Sequence, residues 1–197
     1  MGIQRSHSSP SHWRYFLSLE EDLHQLARFI EPSEKNFPTY STELAALLLS
    51  AASEVDVLAK MICKKVKKDS KARNIGHYAS TICKAYPRVG EFRVEIPKFG
   101  LKLQPWESWE EKSRNSPPWW KAYNQVKHER NVHFDQANMK HSLNALAGLY
   151  VVLLYFYRDL ALEGRLSPNP SLFRPAGDYR TVVWDTEILI QYGQQLT

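Results

Sequence analysis

The stretch ALAGLYVVLLYFY, residues 145–157, is the most apolar run of this 197-residue chain and decides how the rest must fold. A helix that crosses a membrane needs about 17 to 25 apolar residues, so a run of this length is too short to span one. A helix that is apolar on every side is instead buried among other elements. We therefore predict a central core helix around which the remaining elements pack.

The other elements are predicted from apolar periodicity and from helix start and stop signals. Alternation over residues 91–104 predicts a β-hairpin, and residues 179–185, which contain RTVVWD, predict a further strand that completes a small sheet. The helices are predicted over residues 11–30, 41–66, 74–86, 117–134 and 138–162. The expected fold is a single domain, 1–197, mainly α: a four- to five-helix bundle with a small β appendage and a mobile polar leader, residues 1–10.

Composition excludes several classes of protein. Hydrophobic residues make up 43% and charged residues 24%, which is ordinary for a globular domain and excludes a disordered chain. Cys63 and Cys83 lie in separate predicted helices, so a disulfide framework, a zinc site or another metal centre is not expected. The cysteine pattern and the lack of a segment typical of a signal peptide together lead us to expect a reduced, cytoplasmic protein. We expect no membrane partner and no cofactor. The net charge of +5 is compatible with a nucleic-acid partner.

The stretch YNQVKHERNVHF, residues 123–134, places many polar side chains directly before the core helix. At 100° per residue, these side chains divide into two arcs of the predicted helix. The polar arc holds Trp120, Asn124, Lys127, His128 and Asn131. The apolar arc holds Tyr123, Val126, Arg130, His133, Phe134 and Ala137.

An arginine within an apolar arc needs a partner, because an unpaired buried charge costs several kcal/mol. Glu54 falls in the apolar stripe of the second predicted helix, among leucines and alanines. We therefore predict an ion pair between Glu54 and Arg130. Without that pair, Arg130 has to open onto a cleft.

Two stretches resemble the HEPN superfamily, the helical domain named for higher eukaryotes and prokaryotes nucleotide-binding proteins. They are AASEVDVLAKMIC, with its inward acid, and WWKAYNQVKHERNVHF followed by ANMKHSLNALAGLYVVLLYFY. The resemblance implies a four- or five-helix bundle that dimerises. It also implies either a metal-independent ribonuclease or an inactive partner protein, in bacteria often connected with phage defence.

The family's catalytic motif is an arginine, a polar residue and a later histidine. On this chain it falls on Arg130, Asn131 and His133, with fewer residues between arginine and histidine than the family usually has. His128, on the other side of Arg130, is a further candidate catalytic residue. The resemblance thus implies that a histidine takes the proton of the RNA 2′-hydroxyl while the guanidinium holds the phosphate. Asn124, Lys127 and Asn131 are the candidate substrate-binding residues.

Three functions remain open from the sequence. The first is a ribonuclease or toxin, with RNA as substrate and an antitoxin or defence-system protein as partner. The second is a non-catalytic module that binds a nucleotide or a partner protein. The third is a structural bundle in which Arg130 is paired and His133 is a packed core histidine.

We also expect a homodimer in which the fourth helices face each other. The lysine-rich residues 64–73 are interpreted as a solvated helix end or as a contact to the RNA backbone.

Overall fold

The computed structural model of the chain describes residues 9–110 and 114–177. These residues form six α-helices and three short strands, which confirms a mainly α fold with a small β element. The helices are α1 (Ser11–Leu26), α2 (Thr42–Val66), α3 (Ile75–Ala85), α4 (Pro118–His133), α5 (Met139–Phe156) and α6 (Arg158–Leu162). The strands are β1 (Val94–Ile96), β2 (Leu101–Leu103) and β3 (Arg174–Pro175).

Helix α5 is the centre of the molecule, as its sequence predicts. Every residue from Ala145 to Phe156 is buried, and α2 packs along it while α1 and α4 flank it. The helix ends at Phe156, so the single helix predicted over 138–162 is in fact two, with α6 following Tyr157. Among the described helices, none has both the length and the apolarity that crossing a membrane requires.

Helix α2 begins where the sequence predicts. The Ser41 hydroxyl accepts a hydrogen bond from the Leu44 backbone N–H at 3.1 Å, which satisfies one of the free donors of the first turn. Lys64 and Lys65 lie in the last turn, where the helix dipole favours positive charge. The buried face of α2 includes Leu48 and Ala51, both fully inaccessible to solvent, and faces α5.

The strands form one antiparallel sheet in the order β2-β1-β3. The predicted hairpin over 91–104 is confirmed: Val94 pairs with Leu103 and Ile96 with Leu101. The third strand is Arg174–Pro175, in a stretch whose prolines indicate a loop. The strand predicted at 179–185 lies outside the described residues, as do residues 1–8 of the predicted leader.

A buried carboxylate fastens the last described segment to the bundle. Glu20 of α1 accepts hydrogen bonds from the backbone N–H groups of Ser171 at 2.9 Å, Leu172 at 2.7 Å and Phe173 at 3.1 Å. The Ser171 hydroxyl adds a fourth bond at 3.2 Å. Because an ionised carboxylate accepts bonds at both oxygens, one side chain satisfies three backbone donors that would otherwise be left without partners.

The start of α4 is held by a tryptophan cluster. Trp119 donates its indole N–H to the Pro105 carbonyl at 2.7 Å, and Trp106 donates to the Gly148 carbonyl at 3.2 Å. A Cβ atom on Gly148 would lie 2.9 Å from the Trp119 ring, so glycine permits the close approach of α4 to α5. Trp120 is also buried, packing against Trp119. Its predicted place on the polar arc is therefore wrong, because its ring packs against the buried rings of Trp119 and Tyr123.

Candidate functional site

Helix α4 is divided by an interruption at Glu129, whose backbone angles of φ −138° and ψ 47° are not helical. Before it, Trp119, Tyr123 and Val126 face the core. After it, the chain makes one further turn to His133. A helical projection is valid only within an unbroken helix, so the arcs predicted for positions before Glu129 do not extend beyond it.

Arg130 is the first residue after this interruption. The sequence predicts it in the apolar arc, but its side chain is exposed. Its guanidinium carbon lies 5.8 Å from the centre of the Phe134 ring, which in turn meets the Tyr40 ring edge-on at 5.5 Å. A cation over an aromatic face is weakly stabilised and remains hydrated, so Arg130 needs no buried acid.

Glu54 has a different partner from the one predicted. Its carboxylate bonds to Nδ1 of His12 at the start of α1, and both side chains are largely covered. Within residues 9–110 and 114–177, Glu54 and Arg130 form no ion pair, so the prediction that they meet is wrong. The reason is topological: α1 supplies the partner of Glu54, while the break at Glu129 turns Arg130 toward solvent.

Two predicted substrate-binding residues are partly engaged within α4. Asn124 is half-buried and donates its amide to the Trp120 carbonyl at 3.0 Å. Lys127 is exposed, and its ammonium donates to the Tyr123 hydroxyl at 3.2 Å. The bond of Lys127 lies at the surface, so its remaining donors can reach a ligand.

The histidines of this region differ in environment. His128 is exposed, as is Asn131. His133 is half-buried, and its Nε2 lies 3.3 Å from a carboxylate oxygen of Glu129. This environment differs from that of a packed core histidine, because the ring faces a carboxylate that is itself largely exposed. Arg130 and His133 are three positions apart within one helical turn, a spacing that brings side chains to one side.

We call the exposed Lys127, His128, Arg130 and Asn131, together with the half-buried His133, the α4 surface; its members lie on both sides of the interruption at Glu129. It holds two imidazoles, one guanidinium and one ammonium on seven consecutive residues. Such a set can bind a phosphate and move a proton at neutral pH. Among the described side chains, no group of three or more potential metal ligands is arranged to hold a metal ion.

His141, the next histidine along the chain, has a structural environment. It lies in the first turn of α5, half-buried, with Nδ1 3.0 Å from the Gln136 carbonyl oxygen. Burial lowers the pKa of His141, because the charged imidazolium is poorly solvated there, and the neutral ring then donates its Nδ1 proton to that carbonyl. The ring thus helps to fix the turn that joins α4 to α5.

Two features of this region escape sequence reasoning. His12 stands in the polar context SPSHWRYF, and only the packing of α1 against α2 identifies it as the partner of Glu54. The interruption at Glu129 has no proline or glycine beside it, so no local signal announces it.

Comparison with known proteins adds no assignment. No protein-family model, no curated protein and no solved structure matches this chain significantly.

Proposed function

We propose that the α4 surface acts on RNA and that the protein is a metal-independent endoribonuclease of the HEPN type. The observation that carries this proposal is the position of Arg130, which is exposed and one turn from His133. An arginine without an acidic partner keeps its planar donors for the phosphate of a ligand. The resemblance of residues 123–134 to HEPN motifs supports the same assignment.

The chemistry follows from the residue types. His133, oriented by Glu129, takes the proton of the RNA 2′-hydroxyl, and the 2′-oxygen attacks the adjacent phosphorus. Arg130 binds the non-bridging oxygens and stabilises the negative charge that builds up on them. His128, in its protonated form, gives a proton to the departing 5′-oxygen. The bond from the 2′-oxygen to phosphorus forms as the bond from phosphorus to the 5′-oxygen breaks. The products are a 2′,3′-cyclic phosphate and a free 5′-hydroxyl.

The polar residues of α4 have supporting roles in this proposal. Lys127 and Asn131 contact the phosphates that flank the scissile bond, while Asn124 positions the base or the phosphate. In a cell, this activity fits a cytoplasmic toxin that acts in phage defence or stress. Its activity would then be restrained by a partner such as an antitoxin or another defence protein.

A second candidate is a non-catalytic module that binds a partner protein. Val132, between Asn131 and His133 in the sequence, is 64% exposed, and a bound partner protein would cover this apolar side chain. The partner that we propose is a second copy of this chain, with the two fourth helices facing across a two-fold axis. In that arrangement, the arginines and histidines of two copies would line one groove. Sedimentation that detects only a 22.9 kDa species at tens of micromolar would exclude the dimer.

Incubation of purified protein with total RNA, with and without EDTA, separates the two candidates. A ribonuclease of this type cleaves RNA equally well with EDTA present, because no step needs a metal. Cleavage that requires a divalent cation would contradict the proposed chemistry. Intact RNA under both conditions would favour the binding module.

A further inference from the structure

The positive charge of this chain is concentrated in one place. Residues 64–73, KKVKKDSKAR, contain six cations and one acid, Asp69. The segment therefore carries a net charge of +5, the same as the whole chain. The positive and negative side chains of all other residues balance. An asymmetry of this kind produces a local field that attracts polyanions.

The end of α2 accounts for only part of this charge. Lys64 and Lys65 lie in the last helical turn, where the dipole stabilises cations. Lys65 has a structural contact as well, because its ammonium donates to the Phe156 carbonyl at 2.9 Å and lies 4.1 Å from the centre of that ring. Lys67 leaves the helix with an extended backbone, so the cations that follow lie beyond the dipole's range.

The four later cations are Lys67, Lys68, Lys71 and Arg73, and all of them are exposed. Lys67 and Lys68 lie in a turn, which is closed by a hydrogen bond from the Ser70 N–H to the Lys67 carbonyl at 2.9 Å. None of the four forms an ion pair with a carboxylate of the described residues. Neighbouring like charges repel, so this arrangement brings no stability to the fold by itself.

We propose that residues 64–73, the basic segment, bind the phosphate backbone of single-stranded RNA outside the α4 surface. Lysines act as point charges that attract phosphates without reading bases, so a lysine-rich segment gives affinity rather than sequence preference. The segment contains no aromatic residue, and Val66 is its one exposed large apolar side chain. A membrane-surface contact also uses an apolar face, which favours RNA over a lipid surface. The choice of RNA rests on the proposed function.

The test is the salt dependence of binding to a fluorescent 2′-O-methyl RNA oligonucleotide, which cannot be cleaved through a 2′-hydroxyl. The variant K67Q/K68Q/K71Q removes three exposed charges, and the matched control R28Q/K35Q/K98Q removes three exposed charges elsewhere. For single strands, each lost phosphate contact lowers the slope of log K against log salt by about 0.7. The slope should therefore fall by about 2 in the first variant, with affinity lowered roughly 100-fold at about 0.1 M salt.

Several results would overturn the inference. An equal loss in the control variant would mean that affinity follows net charge alone, and unchanged binding in the first variant would mean that these lysines do not touch RNA. Tight binding to vesicles with anionic lipids, without binding to RNA, would assign the segment to membranes instead. Cleavage without any contribution from the basic segment would refute this inference alone. Binding through it without cleavage would refute the ribonuclease alone.

Discussion

Glu54 is paired with His12, and this pairing predicts that Arg130 contributes no ion pair to the stability of the fold. The His12 side chain is 24% exposed and that of Glu54 is 16% exposed, so the pair lies between an exposed ion pair and a buried one. Exposed pairs contribute about 0.2 to 1 kcal/mol, and breaking a buried pair costs about 3 to 5 kcal/mol. For this intermediate burial we expect a coupling free energy of about 1.5 kcal/mol between the two side chains.

Two double-mutant cycles measured by chemical denaturation test this prediction. The first uses His12→Gln and Glu54→Gln, and the second uses Glu54→Gln and Arg130→Gln. The two losses of unfolding free energy should be coupled in the first cycle. In the second cycle they should add within about 0.5 kcal/mol, because the side chains are not partners. Arg130→Gln alone should change stability by less than about 0.5 kcal/mol, as is usual for an exposed residue.

The reverse pattern would refute this description of α4. Strong coupling between Glu54 and Arg130, with none between His12 and Glu54, would mean that Arg130 turns inward and is consumed by a structural ion pair. Arg130 would then be unable to bind a phosphate. A stability-neutral Arg130→Gln, in contrast, allows any loss of RNA cleavage in that variant to be assigned to function.

Three further predictions concern the fold around the site. Glu20→Gln should lower the unfolding free energy by about 2 kcal/mol, since an amide cannot replace a carboxylate that accepts four hydrogen bonds. The control Glu21→Gln, at the exposed neighbouring position, should change it by less than about 0.5 kcal/mol. Gly148→Ala should lower the unfolding free energy by about 1 to 3 kcal/mol in denaturation experiments, because the added Cβ would lie 2.9 Å from a tryptophan ring. The control Gly76→Ala, on the exposed face of α3, should raise it by about 0.5 to 1 kcal/mol. Burial lowers the pKa of His141, so the imidazole binds a proton less readily in the folded state than in the unfolded chain. The free energy of unfolding should therefore fall as the pH drops below about 6.5. In a pH series of denaturation curves, this free energy should depend less on pH in His141→Gln.

The sequence predicts the scaffold of this protein well because its signals are local. The apolar run of α5 identifies the core, and Ser41 marks the start of α2 through an ordinary capping bond. The alternation over 91–104 identifies the hairpin, because the side chains of a strand point to opposite faces in turn. Each of these features depends on residues that are neighbours in the chain.

The candidate site is harder to predict because its decisive features are not local. The break at Glu129 has no sequence signature, and Arg130, which follows it directly, is exposed to solvent and does not lie in the predicted apolar arc. The role of Glu20 depends on residues about 150 positions later in the chain. The residue types of the α4 surface could be selected from the sequence, but the partner of Glu54 could be found only from how α1 packs on α2.

The most direct test of the proposed function is the cleavage of an RNA oligonucleotide by the wild-type protein and by Arg130→Gln, with analysis of the new 3′ ends. Arg28→Gln, another exposed arginine, is the matched control. We predict that the wild-type protein cleaves the RNA in the presence of EDTA and leaves 2′,3′-cyclic phosphates. The cleavage rate should fall at least about 100-fold in Arg130→Gln, as it does when a donor to the transition state is removed. The control variant should cleave at the wild-type rate. Wild-type rates in a folded Arg130→Gln, or products with a 3′-hydroxyl, would contradict a ribonuclease site at the α4 surface.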